Sequence, residues 1–118
     1  MTEVTVVSYG AGNIASVQFA LERLGARVRL SGDPIEIAEA ERIILPGVGQ
    51  AGYAMARLDS LGLGQSLRDF RRPLLGVCLG QQLLFEDSDE GDARLLGLIP
   101  GRVRRLEPGP GLPVPHMG

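Results

Sequence analysis

The sequence predicts an α/β domain built around a mainly parallel β-sheet. Short β-branched and aliphatic runs alternate with segments of helical periodicity, and the connections between them are short. This alternation is the pattern of parallel strands linked by helical crossovers. Three glycine-rich loops, at residues 10–12, 46–49 and 76–80, directly follow predicted strands. Parallel sheets bind ligands beyond the carboxyl ends of their strands. We therefore expect the three loops to converge on one edge of the sheet.

The first predicted elements are a buried strand, a helix and an edge strand. Residues 4–9 form a β-branched run typical of a buried strand. Apolar residues then recur at helical spacing from Ile14 to Leu24, and Gly25 is the expected end of that helix. Residues 27–30 alternate polar and apolar side chains, which places the second strand near a sheet edge.

The middle of the chain is predicted to contribute three helices and a strand. Asp33 is the expected N-cap of a short helix that begins at Pro34. A third strand covers residues 42–45, and two helices follow over 50–59 and 63–72.

The last part of the chain is predicted to contain a fourth strand over 73–77, a helix over 80–87 and a further strand within 95–106. Residues 108–118 are rich in proline and glycine and predict no regular structure. A length of 118 residues suffices for one small domain and is short for two, so residues 1–118 are expected to form a single domain.

The composition is that of a globular protein, with 44% hydrophobic and 22% charged residues. A net charge of −2 argues against a general nucleic-acid binder. No apolar run has the length of a membrane span, and no basic segment precedes the first apolar run as in a signal peptide. One cysteine cannot form an internal disulfide. We predict a cytoplasmic protein with no metal and no cofactor.

The single cysteine, Cys78, has Gly76 two residues before it and Gly80 two residues after it. A predicted strand leads in and a predicted helix leads out, as in a nucleophile elbow, whose cramped turn requires small neighbours. We expect free N–H groups and the dipole of that helix to point at the sulfur and favour the thiolate. A buried structural cysteine is the alternative, but the flanking glycines favour a catalytic Cys78.

The loop Pro46-Gly47-Val48-Gly49 is the candidate partner of this elbow. Acyl transfer to a cysteine needs an oxyanion hole, which combines the N–H of the residue after the nucleophile with one from a neighbouring loop. Here the two donors are predicted to be Leu79 and Val48. We hypothesise that the glycines beside Val48 let its peptide turn the N–H toward or away from the oxyanion. A flexible strand exit is the plainer interpretation.

Three other features have weaker functional interpretations. Residues 10–15 resemble a dinucleotide fingerprint, but Asp33, the nearest acid to the expected ribose position, is expected to cap a helix. The acidic run 86–92 is interpreted as solvated surface, with pairing of Glu90 to the ammonium group of an amino acid as the alternative. His116, the only histidine, lies in the proline-rich tail and is interpreted as a surface or interface residue.

Residues 76–86 resemble the nucleophile segment of the class I, triad-type glutamine amidotransferases. Residues 9–13, 45–49, 96–101 and 114–118 resemble, in the same order, further segments of the members that serve histidine biosynthesis. The resemblance covers the whole chain. It implies a flavodoxin-like three-layer α/β domain with a mainly parallel sheet.

The resemblance also implies a reaction. Cys78 would attack the side-chain amide of glutamine and release ammonia, and water would hydrolyse the resulting glutamyl thioester. Val48 and Leu79 would donate to the oxyanion. The residues that would help to hold the glutamine are Gly47, Gly49 and Gln82.

A partner is implied as well. The ammonia would pass to a (β/α)₈-barrel cyclase subunit in a heterodimer, and this subunit closes an imidazole ring. The residues that resemble parts facing the cyclase are Asn13, His116 and Met117.

One departure from the family pattern bears on activity. The catalytic histidine and glutamate of the family come from a His-Pro-Glu-type segment downstream of the motif that ends here at Gly118. We therefore expect a domain truncated before its C-terminal part, and no useful glutaminase activity from residues 1–118 alone.

Three alternatives stay open from the sequence. One is a different triad glutaminase, for example one that supplies pyridoxal phosphate synthesis. Another is an intracellular-peptidase-like cysteine hydrolase, which would need an acidic residue beside Cys78. The third is a non-catalytic flavodoxin-like binding module, whose function would survive alkylation of Cys78.

Overall fold

The computed structural model describes residues 2–11, 14–88, 93–100 and 102–103. The strands are β1 (Glu3–Val7), β2 (Arg27–Ser31), β3 (Ile43–Leu45), β4 (Leu74–Gly76), β5 (Asp87–Ser88), β6 (Ala93–Arg94) and β7 (Arg102–Val103). The helices are α1 (Ile14–Arg23), α2 (Pro34–Glu39), α3 (Ala51–Ser60), α4 (Leu63–Asp69) and α5 (Leu79–Gln82). In the described part of the chain, no helix is long and apolar enough to cross a membrane.

Strands β1 to β4 form one sheet in the order β2-β1-β3-β4, and every neighbouring pair is parallel. The α/β prediction is confirmed, and the order is that in which flavodoxin-like sheets begin. From β1 the chain crosses to one side to form β2, and it then returns to the other side to form β3. The loops that leave β1 and β3 therefore diverge and open a crevice between them.

Helices cover both faces of this sheet. On one face, Val4, Val6 and Ile44 pack against Ile14 and Val17 of α1. The other face carries the larger cluster, which includes Tyr9 from the loop after β1. To this cluster β1, β3, α2, α3 and α4 contribute Val7, Ile37, Ile43, Leu45, Met55, Leu58, Leu63 and Leu67. Three layers result because both faces of a parallel sheet have to be shielded from water.

The edge position predicted for β2 is confirmed. Its exposed Arg29 pairs with Glu36 of α2 at 3.2 Å, and charged side chains protect such an edge from further strand pairing. The cap predicted for α2 is confirmed too, because Asp33 Oδ1 accepts a hydrogen bond of 2.9 Å from the Ile35 N–H. The carboxylate of Asp33 therefore serves the helix.

Two predicted helices end earlier than expected. The apolar stripe of α1 does not reach Leu24, which lies beyond the helix and is 83% exposed. The helix predicted over 63–72 ends at Asp69, and the backbone of the next residue, Phe70, is extended with ψ 130°.

The helix predicted over 80–87 is wrong in length, because α5 ends at Gln82. The chain then turns, and its carbonyl groups bond to a later segment instead of to the next helical turn. Leu83 accepts from the Leu96 N–H at 2.9 Å, and Leu84 accepts from Leu98 at 2.8 Å. A small second sheet, in the order β6-β5-β7, follows this turn. It includes the strand predicted within 95–106.

Candidate active site

The carboxyl ends of β1, β3 and β4 bring three loops to one edge of the sheet, as predicted. The loop after β3 and the turn after β4 border a cavity of about 310 Å³ together with one face of α1. The residues that line this cavity are Ser16, Val17, Ala20, Pro46, Gly47, Val48, Val77 and Cys78. Cys78 is exposed there.

Cys78 occupies the tip of a sharp strand-to-helix turn. Strand β4 ends at Gly76 and α5 begins at Leu79, so only two residues make the reversal. Cys78 has φ 56° and ψ −126°, and no other non-glycine residue of the described chain has a positive φ. This conformation costs on the order of 1–3 kcal/mol and is found where the surrounding structure enforces it.

Glycines permit the turn, because they let three backbone segments approach one another closely. A Cβ atom on Gly80 would lie 1.8 Å from the Leu45 carbonyl oxygen, and one on Gly76 would lie 2.6 Å from the Gln81 Cα. A Cβ atom on Gly47 would lie 2.8 Å from the Gly80 nitrogen. The elbow and the loop after β3 are therefore packed backbone against backbone.

Both predicted oxyanion donors have hydrogen-bond acceptors within the protein. The Val48 N–H donates to the Ala11 carbonyl at 2.9 Å, and the Leu79 N–H donates to the Gly47 carbonyl at 3.2 Å. The Gly47 carbonyl and the Val48 N–H belong to the same peptide group. Rotation of that one peptide would therefore release both donors together.

The expectation that free N–H groups at the start of α5 point at the sulfur is wrong. The first three residues of α5 donate their N–H groups to the carbonyls of Gly47, Val77 and Cys78. The helix is also only four residues long, and a macrodipole sums over the aligned peptides of a helix.

Tyr9 connects the exit of β1 to the loop after β3. Its side chain is 1% exposed, and its hydroxyl donates to the Pro46 carbonyl at 2.5 Å. The Arg57 Nε of α3 donates to the Tyr9 carbonyl at 3.1 Å. Burial raises the pKa of Tyr9 to about 12.

The profile of the family "Glutamine amidotransferase class-I" matches residues 5–93, a span that includes the cysteine elbow and the loop after β3. The chain belongs to this family.

Three curated relatives that share one name are similar to the chain over its whole length. The chain is 55% identical over all its 118 residues to "Imidazole glycerol phosphate synthase subunit HisH" of Xylella fastidiosa (strain Temecula1 / ATCC 700964). Proteins of the same name from X. fastidiosa (strain 9a5c) and Xanthomonas axonopodis pv. citri (strain 306) are 54% and 52% identical. The chain spans 59% of the length of each of these three relatives.

The candidate site brings together some of the predicted residues. Gly47, Val48 and Cys78 line one cavity, and Leu79 contacts Gly47 through its N–H. Among the described residues, the lining of that cavity does not include Gly49, which has φ +88°, or Gln82 of α5. Their role in holding glutamine stays a prediction. Asn13, Glu90, His116 and Met117 lie outside the described residues.

Sequence reasoning missed the contribution of α1 to this candidate site. Ser16, Val17 and Ala20 line the cavity, and the sequence predicted only an apolar face for the helix. The order of the elements could have predicted this contribution, because the helix that directly follows β1 begins beside the exit of that strand. Sequence reasoning also gave Tyr9 no role of its own, although Tyr9 is the one aromatic residue in the predicted strand 4–9. In the described part of the chain, no group of three residues could hold a metal ion.

The pKa of Tyr9 predicts a loss of stability at high pH. The folded pKa of about 12 lies above the ordinary value of 10.0. The contribution of the protonated Tyr9 to the free energy of unfolding is therefore fully present below pH 10. It is lost as the pH rises from 10 through 12. The sequence contains no lysine, whose side chain would titrate in the same range.

Urea unfolding followed by circular dichroism at several pH values measures this effect. Tyr9→Phe is the control, and the free energy of unfolding of the parent should fall more steeply between pH 10 and 12 than that of the variant. Parallel curves would show that Tyr9 does not titrate as a buried group.

Proposed function

We propose that this chain is the nucleophile-bearing part of a glutaminase subunit of imidazole glycerol phosphate synthase. In this role it hydrolyses glutamine to glutamate and ammonia and delivers the ammonia to a (β/α)₈-barrel cyclase subunit in histidine biosynthesis. The observation that carries the proposal is the exposed Cys78, held at a positive φ at the mouth of a cavity. The names of the relatives support the pathway and the synthase.

The elbow fits thiol attack on an amide. The Cys78 sulfur adds to the side-chain carbonyl carbon of glutamine, and a tetrahedral intermediate with a negative oxygen forms. Its collapse breaks the bond to nitrogen, which leaves as ammonia after protonation. Water then attacks the glutamyl thioester, and glutamate leaves while the thiol is regenerated.

Stabilisation of the negative oxygen is assigned to the N–H groups of Val48 and Leu79. Removal of one such donor typically costs about 10²–10³-fold in rate. The proposal is that the Gly47–Val48 peptide rests in an inactive orientation and rotates during turnover. Two hydrogen bonds support this. The Val48 N–H of that peptide donates to the Ala11 carbonyl, and the Gly47 carbonyl of the same peptide accepts from the Leu79 N–H.

Coupling to the cyclase is assigned to the loop after β1. Ala11, whose carbonyl holds the Val48 N–H, lies two residues before Asn13, which resembles a cyclase-facing position. Docking of the cyclase on this loop would shift the Ala11 carbonyl and favour rotation of the Gly47–Val48 peptide. Binding of the cyclase would then be coupled to rotation of the peptide that stabilises the oxyanion.

The general base and the acid that orients it are assigned to the part of the relatives that lies beyond the region matched by this chain. The chain spans 59% of those relatives, and the family resemblance places the base downstream of the segment 114–118. His116 is not assigned this role.

A chimeric protein tests the proposed function. Residues 1–118 are joined to the remaining C-terminal portion of the Xylella HisH relative, and ammonia release from glutamine is measured with and without the cyclase subunit. We expect release that the cyclase stimulates, and growth of a histidine auxotroph that lacks this glutaminase. The unfused chain with the cyclase should release no ammonia above background.

The matched control is the same chimera with Cys78→Ala, which should have lost about 10³-fold or more of the activity. Equal ammonia release from both chimeras would overturn the assignment of Cys78. Rescue of a pyridoxal phosphate auxotroph, without rescue of the histidine auxotroph, would instead identify a different triad glutaminase.

A further inference from the structure

Tyr9 is a buried polar side chain for which the proposed reaction has no role. It stands at the exit of β1, and its hydroxyl reaches the loop after β3, where it donates to the Pro46 carbonyl at 2.5 Å. Its acceptor and donor are 37 positions apart in the sequence. Tyr53, the other tyrosine, is 56% exposed. Of the two, only Tyr9 commits its hydroxyl to the loop that carries Val48.

The Pro46 carbonyl lies just beyond the regular ladder between β3 and β4. The Leu45 carbonyl is the last of β3 and accepts from the Val77 N–H at 2.9 Å. Pro46 itself is buried, so its carbonyl needs a partner from elsewhere, since an unpaired buried carbonyl is costly. The Tyr9 hydroxyl supplies that partner.

Holding this carbonyl fixes one of the two peptides that meet at Gly47. Because a peptide group is planar, a hydrogen bond to the Pro46 oxygen fixes the plane of the Pro46–Gly47 peptide. The Tyr9 hydroxyl also packs on Gly47, where a Cβ atom would lie 2.9 Å from it. The Gly47–Val48 peptide remains able to rotate, and its rotation starts from a fixed pivot.

Arg57 holds Tyr9 from the opposite side. Its Nε donates to the Tyr9 carbonyl at 3.1 Å, and a Cβ atom on Gly10 would lie 3.2 Å from that nitrogen. Helix α3 is thereby tied to the exit of β1, and β1 is tied through the phenol to the loop after β3.

We propose that Tyr9 is a positioning residue whose hydroxyl anchors the Pro46–Gly47 peptide and so determines where the Val48 N–H lies relative to Cys78. The proposal rests on the proposed function. Without the hydroxyl, both peptides beside Gly47 move, and the Val48 N–H no longer has one defined place from which to turn toward the oxyanion.

Amide hydrogen exchange measured by NMR on residues 1–118 tests the anchor without any activity. Tyr9→Phe should make the Val48 and Leu79 amides exchange about tenfold faster, since the loop opens locally more often. The Thr5 amide, which bonds to Arg42 at 3.0 Å within the sheet, should keep its rate. Tyr53→Phe is the matched control and should leave all three rates unchanged.

Two results of this experiment would overturn the anchor. If all three amides accelerate by the same factor in Tyr9→Phe, the hydroxyl contributes only to global stability. If neither Val48 nor Leu79 accelerates, the hydroxyl does not hold the loop. Should Tyr9→Phe fail to fold, Arg57→Met, which removes the donor to the Tyr9 carbonyl, is expected to accelerate the same two amides selectively. Uniform acceleration in that variant would again overturn the anchor.

Kinetics of the chimera separate this proposal from the proposed function. Tyr9→Phe should lower kcat about tenfold and leave KM within twofold, because the oxyanion donor acts in the transition state and not in glutamine binding. An unchanged kcat in an active chimera would overturn the positioning role. An inactive parent chimera would overturn the proposed function, and the exchange measurement would still decide whether Tyr9 anchors the loop.

Discussion

Gly80→Ala is expected to unfold most of the protein. A Cβ atom at this position would lie 1.8 Å from the Leu45 oxygen and 2.7 Å from the Leu45 carbonyl carbon. Both atoms belong to the backbone of the fully buried strand β3, so no flexible side chain can move aside. Separating the segments would break the hydrogen bond from the Val77 N–H to Leu45. We expect a loss of about 4 kcal/mol or more, a large part of the stability of a small domain.

The expected sign is opposite to that of an ordinary helical glycine. Alanine normally stabilises a helix by up to about 1 kcal/mol relative to glycine. Gly52→Ala in α3 is the matched control, because a Cβ atom there meets nothing within 4 Å. Urea unfolding should show a neutral or stabilised Gly52→Ala and a Gly80→Ala without a cooperative transition. Equal urea midpoints would show that the close approach of α5 to β3 does not exist.

Local patterns predicted much of the fold because they depend on neighbours in sequence. The strand and helix periods predicted the parallel sheet, and the residue types at Asp33 and Pro34 predicted the start of α2. The glycine spacing around Cys78 predicted a strand-to-helix turn, and the structure places β4 and α5 on either side of it. Each of these features is determined within a few residues.

The parts that the sequence did not predict depend on contacts between distant residues. The helix after Cys78 ends early because Leu83 and Leu84 bond to the segment that includes Leu96 and Leu98. The orientation of the Gly47–Val48 peptide depends on Ala11, which belongs to another loop and accepts from the Val48 N–H. Local residue propensities predict neither set of hydrogen bonds, so only the three-dimensional structure shows them.

Cys78→Gly is expected to stabilise the fold while it abolishes the proposed reaction. At φ 56° and ψ −126°, Cys78 occupies a region of backbone conformation that essentially only glycine adopts without strain. Relief of about 1–3 kcal/mol of strain is partly offset by the greater freedom of glycine in the unfolded chain. Because Cys78 is exposed, little packing is lost. We expect a net gain of about 1 kcal/mol in the free energy of unfolding.

Cys78→Ala separates the thiol from the strain, because alanine removes the sulfur and retains the Cβ atom. In urea unfolding, Cys78→Ala should be about as stable as the parent and less stable than Cys78→Gly. In the chimera, both variants should lose about 10³-fold or more of the ammonia release. A Cys78→Gly protein that is less stable than Cys78→Ala would contradict the strain at this position. A backbone that favours glycine but carries the only cysteine of the chain needs a reason, and the chemistry of a nucleophile supplies one.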